Sequence, residues 1–190
     1  MNRIVLITGA TSGFGLAAAK KFHAAGDTVV VASRNAEKVA KTVAENGFAD
    51  GFCINVANYA DWVALRDFVK EKYGRIDILV NVAGITGSTP IEEITHASWD
   101  RMMNIDLKAM FFLTQAVFAI MKEQGSGKLV HMSSLAALRG GRSSDASYAS
   151  AKAGVLNFTK GFRVEMKLCI FLKAVPNHGS FASGTHLSRN

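Results

Sequence analysis

Short apolar runs alternate with longer amphipathic stretches along most of this chain. The apolar runs, rich in β-branched residues, predict strands over 3–8, 28–32, 51–56, 77–81 and 128–132, and 168–175 could form a sixth. Strands that alternate with helices predict a parallel sheet with right-handed crossovers. The expected fold class is therefore α/β: a doubly wound parallel sheet with helices on both faces.

Apolar residues at helical spacing predict the connecting helices. They cover 16–25, 36–46, 61–72, about 99–124 and 148–167, and the polar stretch 135–146 is expected to be a loop. The helix over 99–124 carries a long apolar stripe, which is typical of a core or of a helix–helix interface. Asn104 lies inside this stripe, where a polar side chain needs a partner or a role.

Length and composition favour one packed globular domain. The chain has 190 residues, 49% of them hydrophobic and 19% charged, which suits a single core. We expect a domain over 1–175 and an irregular tail over 176–190. No apolar run reaches the length of a membrane span, and the start has no signal-peptide core. Cys53 and Cys169 have apolar neighbours and no metal-ligand spacing, which predicts buried, reduced thiols in a cytoplasmic protein.

The charge balance does not indicate a nucleic-acid partner. The formal net charge is +7, but the lysines and arginines are scattered and form no basic stripe with stacking aromatics. A phosphorylated ligand would suit this balance. No metal site is expected, because none of the five histidines forms a ligand pair, and Ser133-Ser134 lacks the glycine-flanked elbow of a serine hydrolase.

The first strand runs into a glycine-rich turn that opens a helix. Gly9, Gly13 and Gly15 follow the strand at the spacing that lets backbone approach a phosphate and helix pack close to strand. The helix N-terminus then offers free N–H groups to a pyrophosphate. A tight strand-to-helix connection is the alternative, and the order of strand, turn and helix favours nucleotide binding.

The end of the second strand indicates which dinucleotide is bound. An NAD site usually has an acid about 20 residues beyond the glycines, whereas this chain has Ser33-Arg34-Asn35 there and no carboxylate before Glu37. An arginine fork and a hydroxyl suit a 2′-phosphate. The pattern therefore favours NADP(H) over NAD(H).

Candidate catalytic groups follow later strands. Tyr148 and Lys152 lie one helical turn apart, so the ammonium favours the ionised phenol. Ser134 follows the fifth strand, and Asn104 lies on the preceding helix. Carbonyl reduction needs a proton donor and a second donor that orients the oxygen. Tyr148 can be that acid and Ser134 the orienting hydroxyl, while a nicotinamide supplies the hydride.

Together these residues resemble the classical short-chain dehydrogenase/reductase family, over roughly residues 3–166. The chain is similar to 3-oxoacyl-carrier-protein reductases and to sugar or polyol dehydrogenases, which share the Rossmann-type fold. The resemblance is carried by Thr8-Gly9-x-x-x-Gly13-x-Gly15, Asn81-x-Ala83-Gly84, Asn104, Ser134 and Tyr148-x-x-x-Lys152.

The resemblance implies roles for these positions. Asn104 would anchor a water in a proton relay through Lys152, and Lys152 would also hold the cofactor's ribose. Pairing of the long helices would give a dimer or tetramer, and the substrate would be a small carbonyl or alcohol. The implied cofactor contacts are Gly9, Ser12, Gly13, Phe14, Gly15, Ser33, Arg34, Asn55 and Val56 (adenine), Asn81, Ala83 and Gly84 (ribose), Tyr148 and Lys152.

The chain also departs from the family pattern. Val82 stands where a second asparagine is usual, Asn55 replaces a common aspartate, and the interval before Tyr148 is one residue longer, which leaves Ser133 and Ser134 as alternatives. After Glu165 the family's Pro-Gly turn, substrate-covering loop and seventh strand are not recognisable. We therefore expect a six-stranded sheet with a truncated or frame-altered terminus. A non-catalytic nucleotide-binding remnant is the rival hypothesis.

Overall fold

The computed structural model describes residues 2–140, 145–165 and 169–173, with side chains up to residue 161. The predicted tail over 176–190 and the predicted loss of a seventh strand concern residues outside these ranges.

Six parallel strands form one sheet in the order β3-β2-β1-β4-β5-β6. The order reverses beside β1, which pairs with β2 on one side and β4 on the other. This confirms the predicted doubly wound sheet, in which the reversal opens a crevice at the carboxyl ends of the strands. The strands are β1 Ile4–Thr8, β2 Thr28–Ser33, β3 Asp50–Cys53, β4 Ile78–Asn81, β5 Lys128–Met132 and β6 Cys169–Lys173.

The helices match the predicted ones except in the region after β5. The predicted helix over about 99–124 is confirmed as part of one helical stretch, His96–Gln124, in which a five-residue π segment, Asn104–Lys108, lies between α4 and α5. The predicted loop over 135–146 contains a short helix, α6. The helices are α1 Gly13–Ala24, α2 Ala36–Asn46, α3 Tyr59–Tyr73, α4 His96–Met103, α5 Ala109–Gln124, α6 Ala136–Arg139 and α7 Ala146–Glu165.

The core lies on both faces of the sheet because alternate strand residues point in opposite directions. On β1, Leu6 packs into a cluster with Leu65 of α3 and Val117 of α5. Its neighbour Ile7 packs into the opposite cluster, with Ala19 of α1. Each fully buried aliphatic side chain contributes about 1.5–3 kcal/mol relative to exposure, so β1 is held from both sides.

Cys53 is exposed, so the predicted buried thiol is wrong at this position. The reason is the position of Cys53, the last residue of the edge strand β3, where no neighbouring strand covers it on one side. The side chain of Cys169 lies outside the described side chains.

The stretch from His96 to Gln124 is long and apolar enough, by length and composition, to cross a membrane. Within the domain its apolar face is part of the core: Leu113, Val117 and Met121 of α5 pack in the same cluster as β1. Core helices of soluble proteins commonly meet the same length criterion, and the burial of these side chains explains the apolar stripe.

Candidate functional site

A cleft of about 420 Å³ lies at the carboxyl ends of β1, β2, β3 and β4. This is the edge at which doubly wound sheets bind ligands. The lining residues are Gly9, Thr11, Ser12, Gly13, Phe14, Ser33, Arg34, Asn35, Lys38, Ile54, Asn55, Val56, Val82, Ala83, Gly84, Ile85 and Ile105. Most of the residues predicted as cofactor contacts are therefore brought together here.

The glycine-rich turn is closely packed against the rest of the domain at Gly9 and Gly15 and is open to the cleft at Gly13. A Cβ at Gly9 would lie 2.8 Å from the Ala83 nitrogen, and one at Gly15 would overlap the Gly9 carbonyl oxygen. A Cβ at Gly13 would meet no described atom within 4 Å. The turn therefore packs closely against Val82 and Ala83, directly after β4, while its backbone leaves room for a ligand over Gly13.

The N-terminus of α1 faces this room with uncapped N–H groups. Ser12 is the N-cap residue, but its side chain makes no capping hydrogen bond, and the first turn contains no acidic residue. The unpaired N–H groups and the positive end of the helix dipole favour an anion. The turn thus fits the pyrophosphate of a dinucleotide.

Positive charge gathers where β2 meets α2. Ser33 Oγ accepts a hydrogen bond of 3.1 Å from the Thr11 hydroxyl, and Arg34 is exposed beside it. Lys38, which the sequence analysis missed, also lines the cleft, one helical turn beyond Arg34. No ion pair in the described ranges engages Arg34 or Lys38, so both cations are available to a phosphate.

The next part of the lining is Asn55 and Val56, after β3. The Asn55 side-chain oxygen accepts from the Ala57 N–H at 3.1 Å, and the Asn55 N–H donates to Asp61 at 2.7 Å. These bonds hold the loop at the cleft edge. The contact of Asn55 with an adenine stays a prediction.

Asn81 does not line the cleft, which corrects its predicted placement. It is buried at the end of β4, where its side-chain oxygen accepts from the Thr8 hydroxyl at 3.4 Å and its side-chain nitrogen donates to Thr114 at 3.1 Å. The physical reason is that this side chain points into the domain and links β1, β4 and α5. Its neighbours Ala83 and Gly84 form the lining instead.

The buried network beneath Asn81 continues into the catalytic half of the domain. Thr114 Oγ1 lies 3.0 Å from His131 Nε2, and His131 Nδ1 lies 3.0 Å from Thr159 Oγ1. Burial lowers the pKa of His131 to about 4, because a charged imidazolium would lose its solvation there. The neutral ring therefore joins β5 to α5 and α7.

Tyr148 and Lys152 are positioned by the first turns of α7. Asp145 precedes this helix, and its Oδ1 accepts from the Tyr148 N–H at 2.7 Å and from the Ser147 hydroxyl at 2.6 Å. Lys152 is 5% exposed, and its Nζ lies 5.6 Å from the centre of the Tyr148 ring. Nζ also donates to the Met132 carbonyl at 3.2 Å. The predicted pair is therefore assembled at the end of β5.

Asp106 is the second charged group beside Lys152, and the sequence analysis missed it. Asp106 is 2% exposed, its Oδ2 lies 3.0 Å from Lys152 Nζ, and its Oδ1 accepts from the Ile85 N–H at 2.7 Å. Oδ2 lacks a well-aligned hydrogen bond within the described residues, so its contact with Lys152 is chiefly electrostatic. Burial raises the pKa of Asp106, and the Lys152 ammonium opposes that rise.

Asn104 does not join this group, which argues against its predicted role of anchoring a water in a proton relay through Lys152. It is exposed and lines a separate surface depression with Tyr59, Trp62 and Phe112. Two residues along a helical turn point to nearly opposite sides, and the π turn directs Asp106 inward. A carboxylate within an apolar stripe was the signal that could have identified Asp106.

The structure distinguishes the two serines after β5. Ser133 is buried, and its hydroxyl donates to the Lys152 carbonyl at 2.9 Å. Ser134 is half-buried, and its oxygen accepts from the Ala136 N–H at 3.2 Å. The Ser134 hydroxyl proton is therefore available to a substrate oxygen, whereas the Ser133 hydroxyl proton already forms the hydrogen bond to the Lys152 carbonyl.

A parallel doubly wound sheet with a glycine turn, an uncapped helix and a cationic strand end defines a dinucleotide-binding domain. Comparison with known proteins gives the family. The family model described as short chain dehydrogenase matches residues 3–170, and this chain belongs to that family.

Several relatives have known names. The chain is 38% identical to the (2S)-[(R)-hydroxy(phenyl)methyl]succinyl-CoA dehydrogenase subunit of Thauera aromatica, over 87% of this chain and 67% of the relative. It is 35% identical to 3-oxoacyl-[acyl-carrier-protein] reductase of Thermotoga maritima, over 87% and 68%. It is also 35% identical to D-threitol dehydrogenase of Mycolicibacterium smegmatis, over 86% and 64%.

Solved structures agree with this assignment. The crystal structure of an actinorhodin polyketide ketoreductase with NADPH matches with a TM-score of 0.85 and 31% identity, over 90% of this chain and 69% of the other. A short chain dehydrogenase from Bacillus anthracis matches with a TM-score of 0.81 and 33% identity, over 86% and 67%. The chain thus spans about two thirds of the length of its relatives.

Proposed function

We propose that this chain is an NADP(H)-dependent dehydrogenase or reductase that interconverts a carbonyl and a secondary alcohol. The observation that carries the proposal is the Tyr148–Lys152 pair at the end of the cleft. Tyr148 packs in a small cluster with Ile85, and Ile85 itself lines the cleft. A proton donor thus adjoins a dinucleotide cradle, which is what carbonyl reduction requires.

The chain's own groups would handle the proton. The Tyr148 hydroxyl donates it to the substrate oxygen during reduction and accepts it back during oxidation, and the bound nicotinamide would supply or take the hydride. Ser134 donates a hydrogen bond that orients this oxygen. The Lys152 ammonium lies 5.6 Å from the ring centre, where it would offset the negative charge that the tyrosine oxygen gains as it gives up its proton.

The cleft residues would hold the cofactor by its charged parts. The N–H groups after Ser12 would bind the pyrophosphate, and Ser33, Arg34 and Lys38 would bind a 2′-phosphate. An arginine and a lysine without carboxylate partners in the described ranges support NADP(H) over NAD(H), since a bare ribose hydroxyl would gain from an acid instead. Ala83, Gly84 and Lys152 would contact ribose, and Asn55 and Val56 the adenine.

The substrate class is a small carbonyl or alcohol, as in the named relatives. Among them are a reductase of 3-oxoacyl-[acyl-carrier-protein] and a D-threitol dehydrogenase, so a 3-oxoacyl thioester and a polyol are the two classes to try. We further propose a cytoplasmic homo-oligomer, dimer or tetramer, paired through α5 and α7, with no nucleic-acid or membrane partner. Light scattering of the purified chain tests the assembly.

The rival function, a nucleotide-binding remnant without catalysis, is not favoured. The named relatives are dehydrogenases and reductases, and Tyr148 packs in the same cluster as Ile85 of the cleft lining. The rival predicts cofactor binding with no turnover on any substrate.

Turnover by Tyr148→Phe tests the proposal. We expect the unmodified chain to oxidise NADPH with acetoacetyl-CoA or to reduce NADP⁺ with threitol, and Tyr148→Phe to lose about 10²–10⁴-fold in rate. Tyr59→Phe is the matched control, because Tyr59 is exposed on α3. No turnover by the unmodified chain with either class, or equal rates for the unmodified chain and Tyr148→Phe, would contradict the proposal.

A further inference from the structure

The ion pair between Asp106 and Lys152 joins two charges that the domain holds away from water. Asp106 is 2% exposed and Lys152 is 5% exposed. Opposite charges 3.0 Å apart nearly cancel each other's field at a distance, whereas a single buried charge is poorly screened and acts over many ångströms. The pair therefore carries no net charge and has a weak field at a distance, whereas the ammonium still acts on its immediate neighbour, the Tyr148 ring 5.6 Å away.

The carboxylate has a fixed position. Its Oδ1 accepts from the Ile85 N–H at 2.7 Å, and a Cβ on Gly84 would lie 2.9 Å from Oδ2. Gly84 and Ile85 both line the cleft, so Asp106 lies directly behind the wall of the site. It cannot leave Lys152 without losing its main-chain hydrogen bond.

The other charged groups in the vicinity do not replace Asp106. Asp145 lies at the start of α7, and its Oδ1 is engaged by the Tyr148 N–H and the Ser147 hydroxyl. The ion pairs of the described residues include one for Lys152, with Asp106. Replacing Asp106 by a neutral side chain would therefore leave an uncompensated ammonium behind the wall.

Oxidised and reduced nicotinamides have similar shapes but differ by one positive charge on the ring. A site that carries a free ammonium penalises the oxidised ring, whereas a neutral pair does not. We propose that Asp106 is a positioning residue that sets the relative affinity for the two redox forms, by cancelling Lys152 and so favouring the oxidised cofactor. The inference rests on the proposed function, since it needs a nicotinamide at the Tyr148 end of the cleft.

The ratio of two dissociation constants measures this effect without turnover. Phosphate, ribose and adenine contacts are common to NADP⁺ and NADPH, so they cancel in Kd(NADP⁺)/Kd(NADPH). Calorimetric titration of the unmodified chain and of Asp106→Asn with both forms gives the ratio. Asparagine keeps the shape of aspartate, and its amide oxygen can still accept from the Ile85 N–H.

We expect Asp106→Asn to raise the ratio by at least about threefold, because Lys152 then repels the oxidised ring. The double variant Asp106→Asn with Lys152→Met removes both charges and should return the ratio to near that of the unmodified chain. A purely structural role for Asp106 predicts no such recovery. Asp100→Asn, an exposed acid on α4, is the control and should leave the ratio unchanged.

Lys152→Met alone keeps the test decisive even if Asp106→Asn does not fold. Without an ammonium the ratio must not rise, so a rise of about threefold or more would overturn the inference. An unchanged ratio in folded Asp106→Asn, or no recovery in the double variant, would also overturn it while both forms still bind. If the unmodified chain binds neither NADP(H) nor NAD(H), the proposed function fails first and this inference fails with it.

Discussion

The two halves of this domain present their functional groups in different ways. In the first half, from β1 to β3, the candidate site is made of open backbone and exposed cations, such as the α1 N-terminus and Arg34. In the second half, from β4 to α7, it is made of buried side chains that hold one another, such as Asp106 with Lys152. A site made of backbone can be predicted from the spacing of glycines and strands. A buried pair of charges such as Asp106 and Lys152 depends on local helix geometry, here the π segment, which the sequence pattern does not show.

The largest expected change in stability comes from a substitution in the closely packed glycine-rich turn of the first half. Gly15→Ala should lower the free energy of unfolding by more than about 3 kcal/mol, because its Cβ would overlap the Gly9 carbonyl and force α1 away from β1. Gly161→Ala on α7 is the control: its Cβ meets no described atom within 4 Å, and alanine should stabilise the helix by about 0.5–1 kcal/mol. Urea unfolding measures both, and equal effects would contradict the close packing.

The next effect tests the buried network of the second half. The pKa of His131 is lowered from 6.5 to about 4, so the neutral ring stabilises the fold above pH 6.5, and this contribution is lost as the pH falls toward 4. The free energy of unfolding should fall by about 3 kcal/mol over this range. His131→Gln should remove this part of the pH dependence, and His96→Gln, an exposed position, should not. If the free energy of unfolding changes equally with pH in the unmodified chain and in both variants, the role of His131 is disproved.

Arg34 is expected to contact the 2′-phosphate, which NADPH has and NADH lacks. Arg34→Ala should weaken NADPH binding by about 10–100-fold, the usual loss for a charge-assisted hydrogen bond to phosphate. NADH has no 2′-phosphate and serves as the internal control, so its affinity should stay within about twofold. Equal losses for NADPH and NADH would mean that Arg34 supports the fold of the turn and does not read the phosphate.

The smallest effect concerns Lys38, the cation that the sequence analysis missed. Lys38→Ala should weaken NADPH binding by about threefold to tenfold, because an exposed lysine acts on the phosphate through solvent. Lys122→Ala, an exposed lysine in the last turn of α5, should have no effect. Calorimetry at two salt concentrations checks this, since the Lys38 contribution should shrink as salt rises.

The difference between the two halves also explains which features could be predicted from the sequence alone. Strand spacing predicted the sheet, and the order of strand, turn and helix correctly brought Gly9, Gly13 and Ser33 to one cleft. Lys38 was missed because the first turn of α2 faces the cleft only once α2 is docked. No local pattern marks that geometry.

In the second half, two asparagines were misplaced for physical reasons. Asn104 and Asp106 are two residues apart in the π segment and point to nearly opposite sides, so only one of them can face Lys152, and that one is Asp106. Asn81 is the last residue of β4, directly before the cleft lining, but its side chain turns inward to Thr8 and Thr114. Such choices depend on hydrogen-bond partners that are distant in sequence.

The first half of the domain is proposed to bind a 2′-phosphate through the cations at the end of β2. Parallel calorimetric titrations of the unmodified chain with NADPH and NADH give the clearest test. We expect NADPH to bind at least about tenfold more tightly, with the difference falling as salt rises. Equal affinities for the two cofactors, or tighter binding of NADH, would contradict it.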